Sequence, residues 1–169
     1  MQVLKRAKLL IEAEHFFCRG MATDSYASGA KASAIEYWSG WKGFEYREGD
    51  FKLVDMYTIH PDSKKSGGHT HIHYQGKTIW MMSYGGFYKK DATSCLKASL
   101  LLNYGAGIFN FGRGKSMFRL EDYSYDISGQ GDFNRFVANE HVQVLTPRGD
   151  HTPTYEPAGG HQVWGMALI

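Results

Sequence analysis

Three histidines alternate along one short segment of the chain: His69, His71 and His73. Alternate side chains of a β-strand point to the same face, so three imidazoles in this pattern are candidate metal ligands. Neighbours on one strand face are roughly 6–7 Å apart, however, so three in a row do not easily hold a single ion. A second segment has polar residues at the corresponding positions 139, 141 and 143. We therefore interpret the histidines as a solvated face, and we predict no metal and no other cofactor.

Two acidic residues occur on strand faces that are otherwise apolar. Glu140 alternates with two valines, and Asp55 alternates with Leu53 and Tyr57. Burying a carboxylate costs free energy unless a hydrogen bond, a cation or a ligand compensates it. We therefore predict that Glu140, and Asp55 with it, faces a binding pocket. The alternative is that Glu140 lies near the rim of the sheet and bonds a loop amide or Arg135.

Aromatic residues make up 15% of the chain, which is a high proportion. Aromatic rings favour strands and form rigid pocket walls, and an acid surrounded by rings binds organic cations through its charge and the ring faces. The leading hypothesis is a non-enzymatic domain, of the sensor or effector type, that binds a small molecule. Its predicted ligand-binding residues are Glu140, Asp55, Tyr57, Trp80, Tyr84 and Tyr155.

An enzyme is the second hypothesis: a hydrolase or isomerase that uses His71, His73 or His141, with or without a metal. The sequence contains no nucleophile motif, because its serines lack the glycine-flanked turn of hydrolases. Cys18 and Cys95 stand in apolar contexts that are typical of buried, reduced thiols.

One glycine-rich loop imitates a phosphate-binding loop. It ends in Gly114-Lys115-Ser116, but Phe109 stands where the motif needs its first glycine, and the segment that follows is predicted as a strand instead of a helix. Arg113 and Lys115 either meet an anion or belong to a surface turn, and we favour the surface turn.

Apolar periodicity predicts the elements that must position these residues. Residues 2–18 are predicted as an amphipathic helix that ends at Gly20. Residues 92–103 are predicted as a second helix, capped by Asp91 or Thr93, ended by Gly105 and covered on both sides. Residues 67–86 are predicted as a β-hairpin around Gln75-Gly76-Lys77, closed by a glycine pair.

The remaining segments are predicted as strands and loops. Residues 21–50 are either a long surface loop with short strands or a segment that lies over a cavity. A turn is predicted through Pro147, Arg148 and Gly149, and a break at Gly159-Gly160. Further strands are predicted at 51–59, 121–127, 139–145, 152–156 and 163–169.

The two hairpin-like segments indicate an internal repeat. Placing Val142 on Ile72 (142 − 72 = 70) aligns residues 138–144 with 68–74, and both copies follow a helix and end in Gly-Gly. The pattern predicts an α+β fold of two α-β-β-β repeats, with one or two antiparallel sheets and the helices packed on one side. We expect a single domain, 1–169, with halves at about 1–88 and 89–169.

Size and charge limit the partners of the chain. Its 169 residues suffice for one domain with a core, and a net charge of +2 is too small to predict a nucleic-acid-binding surface. No stretch is apolar enough to span a membrane, and Glu12 and Glu14 interrupt the N-terminal apolar run, so we predict neither a membrane partner nor a signal peptide. We expect a cytoplasmic protein. A third hypothesis is a homodimer built through a sheet edge and the loop of Trp38 and Trp41.

A loose pattern of glycines and aromatic residues resembles a bacterial family of uncharacterised domains. It covers most of the chain from about residue 26 onward, and Thr70 departs from it, since the family has an acid there. The resemblance implies a shared fold unit, and attachment of some members to helix-turn-helix regulators, but no activity. The pattern consists of the segment 49–57, Gly68, Gly76-Lys77, Trp80-Met81-Met82, Tyr84-Gly85, Arg113-Gly114, Glu140, Tyr155-Glu156 and Gly159-Gly160.

Overall fold

A nine-stranded antiparallel sheet and two α-helices make up the fold. The computed structural model describes residues 2–146 and 154–169. The α+β class with an antiparallel sheet is confirmed. The elements are α1 (Gln2–Thr23), β1 (Ser33–Ala34), β2 (Trp41–Glu48), β3 (Phe51–Ile59), β4 (Lys65–Tyr74), β5 (Lys77–Tyr88), α2 (Thr93–Gly105), β6 (Met117–Leu120), β7 (Tyr123–Asp132), β8 (Arg135–Thr146) and β9 (Thr154–Ala167).

The strand order is β1-β2-β3-β4-β5-β9-β8-β7-β6. Strands β2 to β5 follow one another as neighbours, and so do β6 to β9, so that each α-helix precedes a run of adjacent strands. The last strands of the two runs, β5 and β9, pair with each other at the centre of the sheet. Side chains from both halves of the chain therefore meet on β5 and β9.

The hairpin of β4 and β5 forms as predicted. Its turn places Gln75 at φ 49° and Gly76 at φ 78°, the left-handed pair of conformations that a tight two-residue hairpin turn requires. The side chains of β4 alternate as expected, with Thr70 and Ile72 fully buried and the histidines on the opposite face. The register is thus fixed by the turn and by the apolar alternation together.

Helix α1 does not end at Gly20, contrary to the prediction, but continues to Thr23. Gly20 is buried against the sheet, where a Cβ would lie 3.0 Å from a ring carbon of Tyr46 and 3.3 Å from a methyl group of Leu53. The glycine allows the helix to pack closely on the sheet and is not a stop signal.

Helix α2 matches its predicted position, but two details were wrong. Its N-cap is Ala92, without a side-chain cap bond, and the hydroxyl of Thr93 donates instead to the carbonyl of Lys90. The helix is not covered on both sides, because Leu101 and Leu102 are exposed. Its buried residues are Cys95, Leu96, Ser99, Leu100, Asn103 and Tyr104.

Several strands are longer than predicted. The segment 21–50 contains the eight-residue strand β2, and β9 runs through Gly159-Gly160 without a break. Strand β7 begins at Tyr123, because Glu121 adopts φ 53° in the preceding turn. The predicted turn at residues 147–149, and the start of the strand predicted at 152–156, lie outside the described residues.

The protein core lies between the helices and one face of the sheet. Phe17 of α1 packs edge-on against Trp80 of β5 and Tyr104 of α2. In the described part of the chain, neither helix combines the length and the apolar character needed to cross a bilayer.

Candidate ligand-binding site

A cavity of about 310 Å³ lies between the inner face of the sheet, helix α2 and the segment that follows α1. Both predicted halves of the chain contribute to its lining. Tyrosine rings and aliphatic side chains form most of the wall, and two exposed lysines, Lys64 and Lys90, stand among the lining residues. The lining residues are Met21, Ser25, Tyr26, Ala27, Asp55, Tyr57, Ile59, Lys64, Ser66, Tyr84, Tyr88, Lys90, Thr93, Leu96, Leu100, Tyr104, Arg113 and His161.

Three lining rings lie flat on the sheet because glycines stand beneath them. A Cβ on Gly68 would be 2.5 Å from Cζ of Tyr84, and one on Gly159 would be 2.5 Å from Cδ1 of Tyr88. A Cβ on Gly86 would be 2.8 Å from Cδ2 of His161. Each of these three glycines faces its ring across a strand pair, so Gly68, together with Gly86 and Gly159 of the predicted Gly-Gly pairs, provides space for the floor of the cavity.

Asp55 is the carboxyl group that lines the cavity. Its exposed fraction is 3%, and its Oδ1 accepts hydrogen bonds from the hydroxyls of Thr70 (2.7 Å) and Tyr84 (3.0 Å). Within the described residues, no hydrogen bond is donated to Oδ2. Burial raises the pKa of Asp55 above its usual range, although the two hydroxyls and the charge of Arg113 oppose the shift.

Glu140 is fully buried and paired, and so is not available to a ligand. Arg113 binds it through two parallel hydrogen bonds, from Nε (2.9 Å) and Nη2 (2.8 Å). The hydroxyl of Tyr125 donates to Oε2 at 2.7 Å, and that of Tyr88 donates to Oε1. Burial opposes ionisation of Glu140, but the guanidinium and the hydrogen bonds outweigh it and hold the pKa below its usual range.

Arg113 is not part of a surface turn, contrary to the prediction; its exposed fraction is only 6%. The preceding residues, Phe111 and Gly112, adopt left-handed φ values of 53° and 66° that turn the loop into the protein. The amide of Asn103 donates to the carbonyls of Arg113 (3.2 Å) and Gly114 (2.6 Å). This loop therefore holds the guanidinium group of Arg113 beside Glu140. The Cζ atom of Arg113 lies 5.5 Å from the ring centre of Tyr84.

His161 is an uncharged member of the cavity floor. Burial and the nearby charge of Arg113 lower its pKa to about 3, so the imidazole is neutral at physiological pH. Its Nε2 lies 2.9 Å from Oγ of Ser66, and its buried Nδ1 has no hydrogen-bond partner within the described residues. Its ring packs on those of Tyr84 and Tyr88, with centres 5.6 and 4.6 Å away.

Among the described residues, the buried charges around the cavity balance only when Asp55 is protonated. Glu140 and Arg113 cancel, His161 is neutral, and burial raises the pKa of Tyr84 and of the other tyrosines of the floor. An ionised Asp55 therefore leaves one negative charge without a buried partner. The charges of Lys64 and Lys90 are exposed and screened by solvent.

The predicted site residues separate into two groups. Asp55, Tyr57 and Tyr84 line the cavity together, as the prediction requires. Trp80 is buried elsewhere: it stacks on Phe133 at 4.8 Å and donates from its indole nitrogen to the Phe133 carbonyl. Tyr155 lies on β9, 48% exposed and outside the lining.

Sequence reasoning missed Arg113, His161 and Tyr88 as site residues. Arg113 lies in a glycine-rich segment, and the glycines indicated an unusual backbone conformation there. They did not indicate that Arg113 pairs with Glu140, which is 27 residues away. The pairs Gly85-Gly86 and Gly159-Gly160 were the signal for the rings, and they were interpreted as turns.

The histidine segment lies on the opposite face of the sheet. His69 bonds Ser83 and His73 bonds Thr78, and the ring centres of successive histidines are 6.3 and 6.2 Å apart. Across residues 2–146 and 154–169, no group of three or more metal-binding side chains is placed to hold an ion. His141 is exposed and bonds Asp126, so none of the histidines of the enzymatic hypothesis reaches the cavity.

Residues 55–157 match the sequence profile of a protein family described as a domain of unknown function, DUF5680. The chain belongs to this family. The DUF5680 region begins at Asp55 and includes both partners of the buried pair, Arg113 and Glu140, whereas His161 follows it. Comparison with curated proteins gave no match, and neither did comparison with solved structures.

Proposed function

We propose that this DUF5680 domain binds a small organic cation with an aromatic or aliphatic body, as a sensor or effector module does. One observation carries the proposal: the carboxyl group of Asp55 lines an apolar cavity, and its Oδ2 has no hydrogen-bond partner among the described residues. A protonated amine would supply both the missing positive charge and the missing donor.

The walls suit the body of such a molecule. The tyrosine rings present negative faces to a cation, and the aliphatic residues Ile59, Leu96 and Leu100 bury its apolar part. The cavity volume of about 310 Å³ lies at the lower end of the range for ligand pockets, which favours a small molecule.

Glu140 has a supporting role in this proposal. Because Arg113 occupies both of its carboxylate oxygens, Glu140 holds the guanidinium in place and does not contact the ligand. Arg113 in turn lies near Asp55, and its charge favours the ionised form of that carboxyl and so opposes the effect of burial on its pKa.

Thermal unfolding with and without 2-phenylethylamine tests the proposal. A ligand that binds only the folded state raises Tm by mass action. We expect the amine to stabilise the wild type, and Asp55→Asn to remove the effect, because asparagine keeps an acceptor for Thr70 and Tyr84 but has no charge. The matched control is Asp122→Asn, an exposed carboxylate outside the cavity. Equal stabilisation of Asp55→Asn and the wild type would contradict the proposal.

We also propose that the chain consists of two duplicated α-β-β-β units, each extended by one further strand of the sheet. The strand registers support this proposal. Inward-facing residues at equivalent positions form equivalent cross-strand pairs in the two units, and a further pair in the same register joins one unit to the other. These pairs are Thr70–Met82 and Glu140–His161 within the units, and Tyr84–Val163 between them. A two-fold relation about the last pair places the cavity at the junction of the units.

A further inference from the structure

We propose that Ser66, held by His161, is a second polar contact in the cavity, and that the ligand is an elongated amine with a hydroxyl group at the end opposite its nitrogen. This inference rests on the proposed function, because it takes the contact between the ammonium and Asp55 as its starting point.

Ser66 is placed to contact a molecule in the cavity. It is the second residue of β4 and lines the cavity while half-buried. Its cross-strand neighbours are Ile59 and Gly86, and the ring of His161 lies over Gly86 and reaches the serine hydroxyl at 2.9 Å. This bond uses one hydrogen-bonding position of the hydroxyl and leaves the others to a ligand.

A ligand hydroxyl fits Ser66 in either tautomer of His161. If Nε2 carries the proton, it donates to Ser66, and the serine hydrogen is left to donate to the ligand. If Nε2 is unprotonated, Ser66 donates to it and accepts from the ligand. A hydroxyl group can accept and donate, whereas a carbonyl or an ammonium fits only one of the two cases.

The spacing of the two contacts sets the length of the ligand. Asp55 pairs with Thr70, which stands four residues after Ser66 on the same strand. Four residues of a strand extend roughly 13 Å. Taking this backbone span for the separation of the Asp55 carboxyl from the Ser66 hydroxyl, two collinear hydrogen bonds of about 2.9 Å each leave about 7 Å between the nitrogen and the oxygen of the ligand. A phenyl ring with a two-carbon amine arm and a para hydroxyl has about this length, and it places its ring between the tyrosine walls.

Calorimetric titration with three amines tests the inference: 2-phenylethylamine, its 4-hydroxy derivative and its 2-hydroxy derivative. We expect the wild type to bind the 4-hydroxy compound roughly 3- to 10-fold more tightly than the other two, the gain of one hydrogen bond. We expect Ser66→Ala to lose that preference, so that it binds the three amines with equal affinity. Ser128→Ala, an exposed serine outside the cavity, should keep the preference.

The outcomes separate this inference from the proposed function. If the wild type binds all three amines equally, or if Ser66→Ala keeps the preference, the contact with Ser66 is overturned while cation binding stands. If the wild type binds none of the three, both are overturned. A preference for the 2-hydroxy compound would overturn the length of the ligand derived from Asp55 and Ser66.

Discussion

Two carboxyl groups on inward strand faces differ in their hydrogen-bond partners and in the direction of their pKa shifts. Glu140 is matched by Arg113 and by two tyrosine hydroxyls, and its pKa is lowered. Asp55 has two hydroxyl donors on one oxygen and, in the described part of the chain, none on the other, and its pKa is raised. The difference lies in the partners, since both groups are buried. The charge left over by this arrangement is the basis of the proposed cation site.

The first prediction at the scale of residues concerns the buried ion pair. Glu140→Gln removes the charge that compensates Arg113, and an unpaired buried guanidinium is costly. We expect the free energy of unfolding to fall by about 3 kcal/mol or more. Urea denaturation followed by circular dichroism measures this change.

A double variant separates the pair from the rest of the network. Arg113→Met combined with Glu140→Gln removes both charges, so its loss of stability should be smaller than the sum of the two single losses. Additive losses, or a Glu140→Gln variant as stable as the wild type, would show that the pair does not have the structural role assigned to it.

At the scale of elements, the glycines of β4, β5 and β9 decide where the rings of the site lie. Gly68, Gly86 and Gly159 each face a ring that a Cβ would displace. The contact of Gly68 joins β4 and β5, and those of Gly86 and Gly159 join β5 and β9, so all three exist only when the three strands are paired. The arrangement is therefore a property of the central strands and not of one turn.

Gly68→Ala tests this arrangement. The new Cβ would lie 2.5 Å from the carbonyl oxygen of Met56 and 2.5 Å from Cζ and Oη of Tyr84. The backbone of β4 must therefore shift relative to β3, and Tyr84 must move from its 3.0 Å bond to Asp55. We expect a loss of about 1–3 kcal/mol in stability, as for other overpacked positions, and weaker binding of 2-phenylethylamine. Gly67→Ala is the matched control, because its Cβ would make only an ordinary contact of 3.5 Å. Equal behaviour of the two variants would contradict the role of Gly68.

Local patterns explain which elements the sequence could predict. The hairpin turn at Gln75-Gly76 and the alternation of Thr70 and Ile72 are encoded within a few residues, and both are confirmed. The end of α1 was wrong because Gly20 is selected by its contact with Tyr46, which is distant in sequence. The same holds for the site: the sequence indicated Asp55, Tyr57 and Tyr84 by alternation, whereas the pairing of Arg113 with Glu140 depends on two segments that only the fold brings together.

At the scale of the whole molecule, the cavity lies where the two runs of strands meet. Strands β5 and β9 bring Tyr84 and His161 side by side, and the loop after α2 adds Arg113. In the proposed duplication, Asp55 corresponds to Ile127 and Glu140 to Thr70, so each unit has its buried acid on a different strand. The chain as a whole carries a net charge of +2, so the proposed cation site depends on the local position of Asp55 and not on an overall negative charge.

The most direct test of the central claim compares a cation with a neutral molecule of the same shape. Calorimetry at neutral pH would measure the affinities of 2-phenylethylamine and 2-phenylethanol for the wild type and for Asp55→Asn. If Asp55 is ionised and its Oδ2 accepts from the ligand, the wild type should prefer the amine by about tenfold or more, because hydrogen bonds to charged groups contribute about 1.5–3 kcal/mol. The Asp55→Asn variant should have no such preference. Equal affinities of the wild type for the two compounds, or a preference that survives in Asp55→Asn, would contradict the claim.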